Sequence, residues 1–158
     1  MAVHNRPVTP PLPAPPLDGG LDLPYLVYGT LREGGSNAHL VTRHGGRWAG
    51  SLTVDGFAMV DAPAGYPYVV AREGSRVRAE VVLPPDDAPA QAALRRDLDL
   101  LEGFTLGGAA NNYERVAHAF VDPRDGGERW GWLYVAGAAA LIDGLPAIES
   151  GDWFARQR

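Results

Sequence analysis

The stretch Tyr25-Leu-Val-Tyr-Gly-Thr-Leu-Arg32 joins a short apolar run to glycine and polar residues. Its composition predicts a buried β-strand over residues 25–31 whose exit leaves backbone N–H groups without strand partners. Because Gly29 has no side chain, it lets a ligand approach the main chain, and the amides that follow can converge on one anion. Residues 28–31 are therefore a candidate cradle for a carboxylate or an oxyanion, with an ordinary buried strand and turn as the alternative.

Composition restricts the classes of protein that this chain can be. The 158 residues are 46% hydrophobic and 21% charged, which suits one globular domain with a sizeable core. The net charge of −5 argues against a nucleic-acid partner, because no basic surplus is available to neutralise phosphates. No apolar run approaches the roughly 18 residues that a membrane span needs, and no cysteine is present for disulfides or thiolate chemistry. We expect a cytoplasmic protein without a membrane partner.

Proline marks the boundary of the domain. Half of the 14 prolines lie within the first 24 residues, and such a composition favours extended chain over helix or sheet. The sequence therefore predicts a disordered, proline-rich tail over residues 1–22 and a single domain over residues 23–158.

Strands dominate the predicted domain. Seven apolar segments, many of them bounded by Gly, Pro or Asp, have strand composition. They cover residues 25–31, 47–54, 57–60, 66–71, 77–83, 113–121 and 129–136. The Asp-Gly pair in the segment 123–127 predicts a hairpin that joins the last two strands antiparallel.

Three helices are predicted among these strands. Ser36 is placed to cap a short helix over 37–43, and Asp87 to cap a longer one over 88–102 that ends at Gly103. A last short helix is predicted over 137–143. Many short strands with few helices indicate an α+β fold, in which a small barrel or strongly curved sheet carries its helices on the outside.

One carboxylate in the longer helix is a candidate acid–base group. Leu94, Leu98 and Leu101 follow the spacing of a buried helical face, and Glu102 falls on its flank in the last turn. The helix dipole and the like charge of Asp99 both favour a raised pKa there, which suits proton transfer near neutral pH. A solvated glutamate is the alternative reading of Glu102, and Glu80 is a second candidate acid.

Other catalytic constellations are absent from the sequence. His39, His44 and His118 lack metal-binding spacing, so neither a metal nor a cofactor is implied. The sequence also lacks a Gly-x-Ser-x-Gly elbow and the phosphate-binding glycine patterns. Tyr113, which starts a predicted strand, can offer a hydroxyl to a ligand or be an ordinary buried tyrosine.

Several motifs together resemble the γ-glutamylcyclotransferase-like, or AIG2-like, family, of the γ-glutamylamine cyclotransferase type. The resemblance covers roughly residues 24–154 and leaves the proline-rich segment outside. It is carried by Val27-Tyr-Gly-Thr-Leu-Arg32 with Asn37, Gly65-Tyr-Pro67, Leu101-Glu-Gly103, Tyr113-Glu-Arg115, Trp132-Leu-Tyr134 and Ile148-Glu-Ser-Gly-Asp-Trp153. The fold that it implies is a small mixed β-barrel with a few flanking helices.

The resemblance also implies an activity and a set of site residues. Members convert a γ-glutamyl amine or amide to 5-oxoproline and the free amine without a cofactor. The glutamate of the Leu-Glu-Gly motif maps onto Glu102 as the catalytic residue. The substrate-binding strand end maps onto Tyr28, Gly29, Thr30 and Leu31, and Tyr113 is expected to shape the site.

Two alternatives to a metabolic cyclotransferase stay open. The pocket can bind a small carboxylate or amine metabolite without turning it over, which a salt bridge from Glu102 to Arg32 or Arg115 would favour. The same chemistry can instead remove a γ-glutamyl protecting group from a natural product. The small-molecule substrate is the expected partner, and the oligomeric state is expected to be a monomer or a weak homodimer.

Overall fold

The structure is a computed structural model, which describes residues 12–156. Its elements, in chain order, are β1 (Tyr25–Val27), α1 (His39–Thr42), β2 (Arg47–Asp61), β3 (Pro67–Leu83), α2 (Ala88–Glu102), β4 (Tyr113–Val121), β5 (Glu128–Ala136) and a 3₁₀ turn (Trp153–Ala155). The predicted α+β class is confirmed. Within the described range, no helix is long and apolar enough to cross a membrane.

The five strands form one mixed sheet in the order β2-β3-β1-β5-β4. The central strand β1 pairs antiparallel with β3 and parallel with β5, and the other pairs are antiparallel. The edge strands β2 and β4 do not pair with each other, so the sheet is open and does not close into a barrel. The predicted mixed β-barrel is therefore correct only in the loose sense of an open sheet.

Side chains of β1 alternate between two apolar clusters. Tyr25 and Val27 pack in the cluster that holds Leu94 and Leu98 of α2. Leu26 points to the opposite face of the sheet, into a second cluster. A three-residue strand is thus buried on both faces, which fixes the position of the chain that leaves it at residue 28.

Helix α2 has the bounds that its capping residues predict. The side chain of Asp87 accepts a hydrogen bond from the backbone N–H of Ala90 at 2.9 Å. Gly103 ends the helix with φ 64°, a left-handed conformation that glycine adopts without strain. Both ends of the element that carries Glu102 are therefore set by local sequence.

The predicted strand breaks inside β2 and β3 are wrong. Residues 47–54 and 57–60 belong to one continuous strand, as do residues 66–71 and 77–83 except for residue 66. The glycine and charged residues at the predicted breaks produce an irregularity of register between Asp55 and Phe57 instead of turns. A second irregularity lies between Trp48 and Ser51, inside the predicted strand 47–54. The predicted hairpin between β4 and β5 is confirmed.

Three predicted elements differ from the structure at their ends or altogether. The first strand stops at Val27 instead of residue 31. Helix α1 covers four residues, and its N-cap position is occupied by Ala38, which makes no side-chain capping bond; Ser36 is therefore not the cap. Residues 137–143 form turns and no helix, with hydrogen bonds from the amides of Ala139 and Ala140 to nearby carbonyls.

Residues 12–22 have no regular secondary structure, yet they contact the domain. The indole N–H of Trp130 donates to the carbonyl of Pro13 at 2.8 Å, and that of Trp132 donates to Gly20 at 2.9 Å. Asp18 accepts hydrogen bonds from Arg95 and Arg115. We call residues 12–22 the N-terminal strap. The first eleven residues of the predicted tail lie outside the described residues, so the tail stays a prediction there.

Candidate active site

A cavity of about 180 Å³ opens where the chain leaves β1. All six predicted site residues line it: Tyr28, Gly29, Thr30, Leu31, Glu102 and Tyr113. The volume is smaller than the roughly 300–1,000 Å³ of pockets for drug-sized ligands, so it suits a compact metabolite-sized group. The sequence motifs thus converge on one site, although they are separated by up to about 80 residues.

Glu102 projects from the last turn of α2. It follows Leu94 and Leu98 at intervals of four residues, so it continues the buried stripe of the helix instead of lying on its flank. Leu101, which the sequence places in the core, is 39% exposed and lines the cavity. The helical register therefore directs the carboxyl group of Glu102 inward.

The carboxyl group of Glu102 has no hydrogen-bond or ion-pair partner among the described residues. Burial, and in second place the negative charge of Asp99 one turn earlier, raises its pKa to about 8. The expected direction is confirmed, and burial is a larger cause than the like charge. A group with this pKa exchanges protons readily near neutral pH.

Tyrosine rings surround this carboxyl, and their hydroxyls bond to the protein. The hydroxyl of Tyr28 donates to the carbonyl of Tyr134 at 2.6 Å, and that of Tyr113 donates to the carbonyl of Pro67 at 2.5 Å. Burial raises the pKa of Tyr28, Tyr113 and Tyr134, so all three stay neutral at physiological pH. The hydroxyl of Tyr113 is therefore already engaged as a donor, and its ring forms the wall.

The segment after β1 supplies backbone donors. No acceptor among the described residues takes a hydrogen bond from the amides of Gly29, Thr30 or Leu31. The carbonyl groups of this segment are used internally, since Arg32 donates to Gly29 and Asn37 donates to Thr30. Asn37 also donates its side-chain amide to the hydroxyl of Thr30 at 2.9 Å. This arrangement is compatible with an anion cradle.

The structure gives glycine at position 29 a packing role that the sequence did not predict. A Cβ at this position would lie 2.8 Å from Cγ and 2.9 Å from Cδ of Pro67, so the space in front of Gly29 is filled by the proline ring. Glycine is therefore required there for close packing with Pro67, and its role in the approach of a ligand stays a prediction. Through Pro67, whose carbonyl accepts from Tyr113, this contact links two walls of the cavity.

The second candidate acid, Glu80, is fully engaged elsewhere. It accepts from Nε of Arg32 at 2.9 Å and from the backbone N–H of Glu33 at 2.7 Å. Arg32 is buried, and it also donates to Asp152 at 2.7 Å. Glu80 therefore stabilises the loop after β1 and lies outside the cavity lining.

Arg115 likewise forms no salt bridge with Glu102. Its Nε donates to Oδ1 of Asp99 at 2.9 Å, and its Nη2 donates to Oδ2 of Asp99 at 3.2 Å. The hydroxyl of Tyr134 donates to the same Asp99 at 2.6 Å. The arrangement that would have favoured a blocked, non-catalytic pocket is thus not present.

Several lining residues were not assigned to the site from the sequence. Asn37, Tyr66, Pro67 and Tyr134 lie in the motifs quoted for the family resemblance, but none of them was placed in the predicted site. Asn112 also lines the cavity, and its side-chain oxygen accepts from the hydroxyl of Tyr68 at 2.5 Å. The available signal was membership in a motif for the first four residues and, for Asn112, its position beside Tyr113. The full lining also includes Leu26, Val27 and Leu101.

Among the described residues, a carboxyl without a partner and backbone amides without acceptors line one small cavity, an arrangement suited to acid–base chemistry on a compact anionic ligand. The comparison with known protein families identifies the class of protein more closely. The family model described as "Gamma-glutamyl cyclotransferase, AIG2-like" matches residues 25–155. The chain belongs to that family. The search of curated proteins found no significant match.

Solved structures of similar fold come from several organisms. Protein ytfP from Escherichia coli is 29% identical, with a TM-score of 0.54, and the match covers 86% of this chain and 100% of that one. The uropathogenic E. coli protein c4763 is 21% identical, with a TM-score of 0.54 and coverage of 83% and 91%. PH0828 from Pyrococcus horikoshii is 20% identical, with a TM-score of 0.53 and coverage of 83% and 89%.

Proposed function

We propose that this protein is a cofactor-independent γ-glutamyl cyclotransferase that converts a γ-glutamyl amine or amide to 5-oxoproline and the free amine. The observation that carries the proposal is Glu102, an unpaired carboxyl with a pKa of about 8 inside the cavity. Family membership supports the reaction class. No outside nucleophile is needed, because the substrate contains both reacting groups.

The reaction forms one bond and breaks one. The α-amine nitrogen of the substrate attacks its own γ-carbonyl carbon, which closes a five-membered ring, and the bond from that carbon to the leaving nitrogen then breaks. A proton must leave the α-ammonium and another must reach the leaving nitrogen. One carboxyl group that takes the first and returns it does both.

The raised pKa of Glu102 suits this shuttle. The free site holds a mostly neutral carboxyl at pH 7, and the arriving ammonium group favours its ionised form by pairing with it. The ammonium group then transfers a proton to the carboxylate of Glu102. This transfer leaves a free amine as the nucleophile beside a neutral carboxylic acid. A carboxyl with an ordinary pKa would be a weaker acceptor for that proton.

The amides of residues 29–31 are assigned to the negative charge of the substrate. They hold either the α-carboxylate or the oxyanion that develops on the γ-carbonyl. The rings of Tyr28 and Tyr113 limit the room available to the glutamyl chain, which favours the folded conformer that leads to the ring. Family positions and these contacts support the same assignment.

Release of 5-oxoproline from a panel of γ-glutamyl amines and dipeptides tests the proposal. Wild type is compared with Glu102→Gln, which keeps the shape of the side chain and removes the shuttle. We expect a loss of about 10² to 10⁴ in kcat/KM. Glu73→Gln, at an exposed position on β3, is the matched control and should keep wild-type activity.

Two results would contradict the proposal. A Glu102→Gln variant that keeps more than a tenth of wild-type turnover would remove Glu102 from the mechanism. No release from any substrate by wild type would favour the binding-domain alternative, in which ligands raise the melting temperature without being consumed. Circular dichroism of both variants checks that the fold is intact.

The setting of the reaction is a separate proposal. The leaving amine can belong to lysine, to another amino acid or to a biosynthetic intermediate that carries a γ-glutamyl protecting group. The amine that gives the highest kcat/KM in the same panel decides among them.

A further inference from the structure

One cluster of charged residues includes a residue of the N-terminal strap. Its four members are Asp18, Arg95, Asp99 and Arg115. Arg95 and Arg115 both place their guanidinium groups 4.8 Å from the centre of the Trp132 ring, which is fully buried. Their side chains are 8% and 2% exposed. Two buried cations on one ring repel each other unless anions accompany them.

Two aspartates supply those anions. Asp99 binds Arg115 through both oxygens. Oδ1 of Asp18 accepts from Nη2 of Arg115 at 3.1 Å and from Nη1 of Arg95 at 3.4 Å. The hydrogen bond from Arg115 is the main reason why the pKa of Asp18 lies below its usual value. The cluster therefore has two positive and two negative charges.

Asp18 lies outside the part of the chain that the family model matches, which begins at residue 25. The three other members, Arg95, Asp99 and Arg115, lie within it. Removal of Asp18 would leave one net positive charge next to Asp99. Nη1 of Arg115 has no hydrogen-bond partner among the described residues, so Asp99 would be the remaining anion that Arg115 contacts there.

We propose that Asp18 is a positioning residue of the Glu102 site, because it completes the charge balance that holds Arg115 against Asp99. The functional meaning of this inference rests on the proposed role of Glu102. The physical link is short: Asp18 contacts Arg115, Arg115 contacts Asp99, and Asp99 precedes Glu102 by one turn of α2. The strap is thus part of the active-site architecture.

The groups that face Glu102 make this link specific. On α2 its charged neighbour is Asp99. The other elements present tyrosines, whose pKa values burial raises, so they stay neutral; these are Tyr28 after β1, Tyr68 on β3, Tyr113 on β4 and Tyr134 on β5. A change in the charge around Asp99 is therefore the main route by which a distant residue alters proton binding at Glu102.

The test measures the protonation of Glu102 directly in the full-length protein. The ¹³Cδ signal of Glu102, assigned by its absence in Glu102→Gln, is followed by NMR from pH 5 to pH 10 in glutamate-labelled protein. Asp18→Asn should lower the midpoint of the titration by about half a unit, since the cluster becomes net positive. Asp22→Asn, an exposed charge in the same strap, should leave it unchanged.

A compensating variant separates charge balance from simple anchoring of the strap. Arg95→Met removes one cation and should raise the midpoint, and the double variant Asp18→Asn/Arg95→Met should return it close to the wild-type value. Asp18→Glu should behave like wild type. Loss of an anchor alone would instead lower stability and leave the midpoint unchanged.

Two results would overturn the inference: a midpoint in Asp18→Asn that equals that of Asp22→Asn, or a double variant that stays shifted. If Arg95→Met does not fold, the comparison among Asp18→Asn, Asp18→Glu and Asp22→Asn carries the test alone. The titration needs no turnover, so failure of the proposed enzymatic activity is scored separately by 5-oxoproline release.

Discussion

Two carboxyl groups one turn apart on α2 have opposite surroundings. Asp99 accepts hydrogen bonds from Arg115 and Tyr134. Glu102, three residues later, has no partner among the described residues and a pKa of about 8. The difference shows that a carboxyl group acquires a raised pKa when it is left unpaired while the charges around it are paired.

The first way to break this comparison is to remove the cation that pairs with Asp99. Arg115→Met removes a buried cation from Asp99, whose side chain is 19% exposed, and removal of one partner of a largely buried pair is strongly destabilising. We expect the free energy of unfolding to fall by about 3 kcal/mol, measured by urea denaturation at pH 7. A loss no larger than that of an exposed arginine would contradict the assignment of the cluster as a buried ion-pair network.

The second prediction concerns the replacement of the Glu102 carboxyl by a neutral amide. Because the pKa of Glu102 is raised on folding, its protonated form is stabilised in the native state, and stability is lost as pH rises from about 4.5 to about 8. Glu102→Gln lacks this loss. We expect the variant to equal wild type at pH 4, to be more stable by about 2 kcal/mol at pH 6, and to gain further stability relative to wild type up to about pH 8.

Thermal unfolding of both proteins over pH 4–9 measures this difference. Other titrating groups change both curves equally, so the difference between them isolates Glu102. Parallel curves for wild type and variant would mean that the carboxyl is solvated, and the contrast with Asp99 would disappear.

The third prediction concerns the part of the cavity wall that Gly29 and Pro67 form. In Gly29→Ala the new Cβ requires the ring of Pro67 to move, because their atoms would be less than 3 Å apart. We expect a loss of stability of about 1 kcal/mol and a higher KM for γ-glutamyl substrates. Gly127→Ala is the matched control, since its Cβ would meet only side-chain atoms of Arg129 and Asp125 at 3.2 Å.

The melting temperature distinguishes a packing role of Gly29 from a role in ligand approach. If Gly29 served only to admit the ligand, Gly29→Ala would weaken binding without changing the melting temperature. Equal melting temperatures for Gly29→Ala and wild type would therefore refute the packing role.

The smallest effect is expected where the same kind of pair is exposed. Arg43 donates to Asp97 at 2.6 Å, but the side chain of Arg43 is 55% exposed and His44 also bonds to Asp97. Arg43→Met should change the free energy of unfolding by less than about 0.5 kcal/mol, in the same urea assay. A change as large as that of Arg115→Met would mean that burial does not explain the difference.

The sequence predicted those parts of the fold that local chemistry determines. Asp87 and Gly103 set both ends of α2, and the Asp-Gly pair set the β4–β5 hairpin. The long strands were missed because their bulges carry glycine and polar residues that also occur in turns. The helix predicted over 137–143 failed because helical composition in seven residues is too weak to form a helix without tertiary support.

The site was predicted as a set of motif residues but not as a geometry. The position of Glu102 follows from helical spacing, and its raised pKa from burial and the nearby Asp99. The packing of Pro67 on Gly29 depends on a contact between residues 38 positions apart, which no local pattern reveals. The contacts of the strap were missed for the same reason, since Asp18 meets partners on α2 and β4.

The central place of β1 in the sheet also constrains how the protein is made. This strand is synthesised early, but its two neighbours are β3 and β5, and its partner in β5 is Trp132. The β2–β3 and β4–β5 hairpins can form from local contacts, whereas β1 must wait for distant partners. During translation, the loop at residues 28–31 therefore cannot reach its final position until β5 has left the ribosome.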